Sequence, residues 1–365
     1  MLSIVQLPFI ETREGNSGSS SFGRWGIGIA LVFLALTQLL TSAAEAATIH
    51  AWGDYNSGIY GDPPVGSNFR AVSSFWQGFA LALRDDGSLV SWGNHAPSGM
   101  PTEAGFKAIS VASSHAYALR SNGSILAWGH SGAGVDAYGA VGSTPSGSGF
   151  TAVEAGLDSG LALRADGSIV AWGRNDFGAV SQTPTGTGYR AISAGYGTNY
   201  ALRADGSIAA WGNDYRGKVS NTPVGSGFLA VSTSYYQTVA LRGDGSLVTW
   251  GSNDFGQVTN TPTGPGFTAI SAGMDFNIAL RSNGTLVTWG LNFGNAVTGV
   301  PAGTGFTSIC ASQGRGFALE GPLSDPPAVP EPAVSLMGGL ALLGWALHRA
   351  WRRPQTQGQR AVCND

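Results

Sequence analysis

Residues 189–217 read YRAISAGYGTNYALRADGSIAAWGNDYRG, and this stretch decides the fold. Tyr189–Ser193 and Tyr200–Arg203 are short apolar runs rich in residues that favour strands, and Ile208–Trp211 is a third. Asp205-Gly206 between the last two is the dipeptide of a two-residue type I′ hairpin, whose turn needs positive φ. That turn places Ala204 opposite Ser207, Leu202 opposite Ala209 and Tyr200 opposite Trp211. Tyr200, Leu202 and Trp211 then share one face, and Ala201, Ile208 and Ala210 the other. Both faces are apolar, as expected of a sheet packed between two neighbours. Residues 218–221 read as a short edge strand, giving about four strands in a 39-residue unit.

The stretch is one copy of a repeat. Trp-Gly occurs at Trp52, Trp92, Trp128, Trp172, Trp211, Trp250 and Trp289, with spacings of 40, 36, 44, 39, 39 and 39 residues. The last six copies are preceded by Ala-Leu-Arg-x-Asp/Asn-Gly-Ser/Thr, with its leucine at Leu83, Leu119, Leu163, Leu202, Leu241 and Leu280. A fixed period of this length marks a stacked or radial array. The first unit has only the return strand, 48–53, and the last, 306–320, stops before its own. Together they make one unit, so the sequence predicts an all-β, seven-bladed propeller closed by pairing the N-terminal strand with the C-terminal half blade. Closure removes exposed sheet edges.

The composition follows from the repeat. Gly is 56 of 365 residues, charged residues total only 41, and Trp is 11. Disorder requires high charge and few aromatics, and collagen a glycine at every third position. A net charge of −3 with two lysines, Lys107 and Lys218, argues against nucleic acid as a partner. Two cysteines, Cys310 and Cys363, build no disulfide framework.

The repeat core, with its tail at Asn175-Asp176-Phe177-Gly178, Asn213-Asp214-Tyr215 with Gly217, and Asn253-Asp254-Phe255-Gly256-Gln257, resembles the family of the regulator of chromosome condensation, RCC1. The resemblance covers about residues 48–320 and implies a seven-bladed propeller. Family members exchange nucleotide on a GTPase or bind chromatin, and a secreted bacterial relative inhibits β-lactamase through aromatics on one face. No motif transfers those contact residues here.

The two ends read as addresses. Arg13 and Arg24 precede an apolar run over 27–40, followed by Ala44-Glu45-Ala46, the pattern of a cleaved signal peptide over 1–46. An uncleaved anchor is the alternative. Residues 322–332 form a Pro-rich linker ending in Pro330-Glu331-Pro332. An apolar segment over 333–353 closes on Arg349, Arg352 and Arg353, and 354–365 are a tail. Basic residues at the end of a spanning helix stay in the cytoplasm. The layout resembles the PEP-CTERM sorting signal of exopolysaccharide-producing Gram-negative bacteria, which implies an exosortase-type enzyme and a transient membrane helix as partners. A plain C-terminal anchor is the alternative. Hydrophobic helices are therefore expected to flank a propeller spanning 47–321, on the cell surface or in the extracellular matrix.

Positions constant across the copies serve the blade. The seven Trp-Gly tryptophans are expected to pack between blades. The repeated arginines, Arg84 to Arg281, are expected to cap carbonyls or stack on rings, with Glu320 in their place in the last unit. One window varies in every copy and supplies the candidate binding face: Phe75 and Trp76, His115, Asp158, Tyr196, Tyr235 and Tyr236, Asp275 and Phe276, and Arg315. Aromatic and arginine residues side by side are typical of binding interfaces. His95, His115, His130 and Asp136 lack the spacing of a metal site, no nucleophile elbow or phosphate loop occurs, and no cofactor is expected. The leading reading is a non-enzymatic scaffold that binds protein or polysaccharide. A polysaccharide lyase or hydrolase using the same face, and an inhibitor of a secreted enzyme, are the alternatives.

Overall fold

The computed structural model describes residues 47–321 apart from 54–60, 76–77, 95, 130–135 and 137. The signal-peptide, linker, sorting-helix and tail assignments, with Pro330, Glu331, Pro332, Arg349, Arg352 and Arg353, lie outside the described residues, as does Trp76. Among the described residues no helix is long and apolar enough to cross a membrane.

A first strand, β1 (Thr48–Trp52), is followed by six triplets. The first triplet is β2 (Phe69–Ser74), β3 (Phe79–Arg84) and β4 (Leu89–Gly93); the second is β5 (Phe106–Val111), β6 (His115–Arg120) and β7 (Ile125–Gly129). The third is β8 (Phe150–Ala155), β9 (Ser159–Arg164) and β10 (Ile169–Gly173); the fourth is β11 (Tyr189–Ala194), β12 (Thr198–Arg203) and β13 (Ile208–Gly212). The fifth is β14 (Phe228–Thr233), β15 (Gln237–Arg242) and β16 (Leu247–Gly251); the sixth is β17 (Phe267–Ala272), β18 (Phe276–Arg281) and β19 (Leu286–Gly290). The chain closes with β20 (Phe306–Ala311) and β21 (Gly316–Glu320). Each triplet is one antiparallel sheet, and the seventh sheet has the order β1-β21-β20. The described residues thus form seven three-stranded sheets, arranged as in a seven-bladed propeller.

β1 pairs with β21 from Thr48 opposite Glu320 to Trp52 opposite Gly316, so the first and last strands share a sheet. That sheet meets the first one directly. Ser74 Oγ donates to Ser312 Oγ (3.3 Å), Ser312 Oγ to the Phe75 carbonyl (2.9 Å), and the Phe69 N–H to the Ala47 carbonyl (3.3 Å). Ile49, Phe69, Val72, Trp92, Phe317 and Leu319 pack in one cluster across this junction.

Two features correct the sequence reading. The edge strand expected at 218–221 is a tight turn, leaving three strands per sheet. The Asp214 carboxylate accepts the N–H groups of Val219 (2.8 Å) and Ser220 (2.9 Å), and the Asn221 N–H bonds the Gly217 carbonyl. These groups are used within the turn and none is left for a ladder.

The hairpin register is also displaced by one residue. Leu202 opposes Ile208, Tyr200 opposes Ala210 and Asn199 opposes Trp211. The loop has three residues, not two: the Gly206 N–H bonds the Arg203 carbonyl (2.9 Å) and the Arg203 N–H the Ser207 carbonyl (2.9 Å). This is a type I turn closed by a left-handed glycine. Gly206 has φ +81°, and a Cβ there would stand 2.6 Å from the Gly227 nitrogen. Tyr200 and Leu202 therefore share a face with Ile208 and Ala210, while Trp211 sits with Asn199, Ala201 and Ala209.

The repeated arginine stacks on the first aromatic of its own sheet. Arg84, Arg120, Arg164, Arg203, Arg242 and Arg281 lie over Phe69, Phe106, Phe150, Tyr189, Phe228 and Phe267, 4.4 to 5.8 Å from the ring centroids. In the seventh sheet Glu320 pairs with His50 Nε2 at 2.6 Å, and the His50 ring meets Phe306 edge-on at 5.4 Å. The cation over the ring is thus replaced by an imidazole contributed from the other end of the chain.

The innermost strands are tied to one another by side chains at one repeat position. Ser73, Ser110, Ser193, Ser232 and Ser271 accept the N–H groups of Val111, Ala155, Thr233, Ala272 and Ala311 on the next sheet, at 2.9 to 3.1 Å. Cys310 holds that position in the seventh sheet against the Ser74 N–H of the first, and burial pushes its thiol up to about 12. Glu154 holds it in the third, buried and accepting from Ser110 Oγ (3.3 Å).

Candidate functional site

The variable windows and the Asn/Asp-rich turns lie at the same end of every sheet, because both follow strands that run toward it, and the Asp/Asn-Gly hairpins lie at the other end. The turns are tied internally by their own side chains. Asn175, Asp214, Asn253 and Asn292 each accept two backbone N–H groups five and six residues on, at 2.8 to 2.9 Å. Asp136 does the same for Val141 (3.1 Å) and Gly142. Each turn then offers a carbonyl to the tryptophan of the next sheet. Trp172, Trp211, Trp250, Trp289 and Trp52 donate to Ala140, Ala179, Lys218, Gln257 and Ala296 at 2.9 to 3.0 Å. Trp92 and Trp128 are buried at the same position.

On this scaffold the predicted site residues separate into two groups. His115 and Phe276 are the first residues of β6 and β18 and are fully buried; His115 packs edge-on against Tyr117. Asp158 is buried and ion-paired with Arg174 at 3.1 Å. These three lie beneath the surface. Phe75 is half-buried and lines a small cavity with Ser74, Tyr235, Met274 and Gln313, so four of the variable windows do converge. Arg315 is half-buried with its guanidinium over Phe317 (5.7 Å). Asp275 is half-buried, and burial reinforced by Asp254 raises its carboxyl to about 6. His95 and His130 lie outside the described residues, and the Asp136 carboxylate is occupied by its turn. Among the described residues no His, Cys, Asp and Glu group has the arrangement of a metal site.

Tyr196, Tyr235 and Tyr236 come together. Ring centroids are 4.0 Å apart for Tyr196 and Tyr235, and 4.4 Å for Tyr235 and Tyr236. Tyr215, from the turn after β13, joins them 6.2 Å from Tyr236. With Thr198 and Asn213 these four line an open cavity of about 220 Å³. Burial, with a hydrogen bond to Tyr196 next in weight, pushes the Tyr235 phenol up to about 12.

Tyr215 belongs to a series that lies outside the variable windows and recurs with the repeat. Tyr138, Phe177, Tyr215, Phe255 and Phe293 are all exposed, by 43 to 63%, and each lies one or two residues after the turn-capping Asn or Asp. The signal was present: an aromatic recurring in five copies beside polar cap residues. It reads as part of the blade because it recurs.

Lys218, which the variable windows do not include, supports the same end. It is fully buried, its Nζ donates to the Ser234 carbonyl (2.5 Å) and the Tyr235 carbonyl (3.4 Å), and burial lowers its pKa to about 7. It reaches from the turn that carries Tyr215 to the window that carries Tyr235 and Tyr236, and fixes one against the other.

A model of the regulator of chromosome condensation (RCC1) repeat matches residues 150–179, 228–257 and 267–294. The repeats are RCC1-like. No curated protein matches the chain in sequence. Among solved structures, Prp20p from Saccharomyces cerevisiae is 16% identical with a TM-score of 0.63, over 77% of this chain and 93% of that one. Human WBSCR16 is 15% identical with a TM-score of 0.62, over 77% and 100%. The CRINKLY ectodomain of the Arabidopsis thaliana receptor kinase ACR4 is 19% identical with a TM-score of 0.53, over 67% and 90%. At these identities the likeness shows the RCC1-like propeller fold alone.

Proposed function

We propose that the chain is a non-enzymatic binding protein, exported and sorted by its C-terminal segment to the cell surface or extracellular matrix of a Gram-negative bacterium, with the variable-loop end of the sheets as its ligand face. The residues that differ between copies converge there, with Tyr196, Tyr235 and Tyr236 joined to Tyr215 around an open cavity. Half-exposed tyrosines on a rigid frame give contact area at low entropic cost. Binding is also what the fold does in Prp20p, described by its binding to Gsp1p and histones. Export is supported by the apolar run over 27–40 before Ala44-Glu45-Ala46, and sorting by Pro330-Glu331-Pro332 before an Arg-closed apolar segment.

The face is tested by retention of the purified chain on extracellular material from a producing culture. Tyr196→Ser/Tyr235→Ser/Tyr236→Ser abolishes retention, whereas Asp205→Lys/Asp244→Lys, at the hairpin end, leaves it intact. Equal retention of the tyrosine variant contradicts the face. Replacing Pro330, Glu331 and Pro332 by Ala leaves the chain in the membrane fraction; unchanged delivery to the surface, read by external protease, contradicts the sorting signal.

A further inference from the structure

The tyrosine cavity is distinctive for what its walls lack. The six lining residues, Tyr196, Thr198, Asn213, Tyr215, Tyr235 and Tyr236, include no ionised side chain. Charges that border the walls are already engaged: Arg216 lies over the Tyr215 ring (5.5 Å) and pairs with Asp254 at 2.9 Å, the Asp214 carboxylate is taken up by its own turn, and Lys218 Nζ is buried against the Ser234 and Tyr235 carbonyls. An ionic ligand would lose its hydration here without gaining an unpaired counter-charge, a cost that neutral walls do not offset. A wholly apolar ligand would strip water from phenol and amide groups and return no hydrogen bonds. The lining suits a molecule with an apolar face and a rim of neutral groups that both donate and accept. A phenol hydroxyl is itself such a group, and the Tyr235 phenol, pushed up to about 12, stays protonated at physiological pH.

Size and rigidity narrow the class further. The cavity, about 220 Å³, is below the roughly 300–1,000 Å³ of a pocket that takes a whole small molecule, so it takes one ring of something longer. Its walls are held before any ligand arrives. Lys218 Nζ bonds the Ser234 and Tyr235 carbonyls, Ser234 Oγ bonds the Gly273 carbonyl, and Thr198 Oγ1 bonds the Asn213 carbonyl. Such pre-organisation lowers the ordering cost of binding. The next exposed ring, Phe177, borders Gly197 beside Tyr196, so the aromatic surface continues past the cavity.

We propose that this cavity is a subsite for one ring of a neutral oligosaccharide, a proposal that rests on the reading of this end as the ligand face. The sugar's C–H face lies on the tyrosine rings and its hydroxyls meet the phenols and the Asn213 amide. The test is calorimetric titration of the full chain with cellohexaose, maltohexaose, mannohexaose and xylohexaose, and with oligogalacturonate as the anionic control. At least one neutral hexasaccharide binds, with an affinity that hardly changes between about 0.1 and 1 M salt, because screening acts on charges. Tyr235→Ala and Tyr236→Ala each weaken it by about tenfold, the scale of a lost ring contact, at an unchanged melting temperature. Asp205→Lys leaves it unaltered. The proposal is overturned if no neutral hexasaccharide binds at about 1 mM, if binding survives Tyr235→Ala/Tyr236→Ala, or if only oligogalacturonate binds and salt abolishes it. Should the saccharides fail while a protein partner is held and lost with those tyrosines, the saccharide falls and the face stands. Should that variant change neither, both fall.

Discussion

The Lys218 ammonium has no carboxylate at its tip; it has two carbonyls, and burial brings its pKa down to about 7. Between that value and the ordinary lysine range, the unfolded chain holds a proton that the folded chain has released. Stability therefore rises with pH across this window, and below about 7 the contribution is flat at its lower level. Asp275 runs the other way. Its carboxyl, raised to about 6, keeps a proton in the folded state that the unfolded chain loses near the usual carboxylate range, so stability falls as pH rises through that window. Melting temperatures from pH 4 to 9 check both: Lys218→Met loses the rise above pH 7, and Asp275→Asn loses the fall between pH 4 and 6. Trp211→Phe removes the indole bond to Ala179 and costs about 1–3 kcal/mol, read by urea unfolding. The tryptophans and the ring-stacking arginines were legible in the sequence because seven copies expose what the blade requires. Lys218 was not: in sequence it is one cation near a polar turn, and only the fold puts its stem in the core.

At the scale of one element, the Asx-capped turn replaces a strand. A carboxylate or amide that accepts two N–H groups stabilises a turn as a cap stabilises a helix start. Asn253→Ala is expected to cost about 1–2 kcal/mol and Asn253→Asp much less, measured by chemical denaturation. The hairpin shows what sequence leaves open. Asp-Gly fits both a two-residue turn and the end of a three-residue one. Here Asp205 Oδ1 accepts the Ser207 N–H (2.8 Å), and the turn closes on Arg203. A one-residue slip exchanges the two faces of a strand. Both faces of this unit are apolar, so hydrophobic pattern has no vote on register. For the same reason Phe276 and His115, which fall in a variable window, turn out to be strand residues in the core.

At the scale of the molecule, the variable windows form a face only because seven sheets are held in order. The period, the number of units and the complementary incomplete ends were all legible in the sequence, since they depend on counting. The tyrosine cavity was legible only in part. Tyr196, Tyr235 and Tyr236 lie in variable windows, whereas Tyr215 recurs with the repeat and becomes a neighbour through the turn that Lys218 anchors. β1 and β21 place the two ends of the array in one sheet, and we propose that this pairing closes the ring. β1 contributes buried Ile49 and Trp52, the indole bond to Ala296, and His50 against Glu320. Truncating a buried tryptophan alone costs about 3–5 kcal/mol. The most direct measurement is the thermal melt of the chain lacking residues 48–53 beside that of the parent. A ring closed by β1 predicts a large drop in melting temperature, with loss of a single sharp transition. An unchanged melt would contradict it.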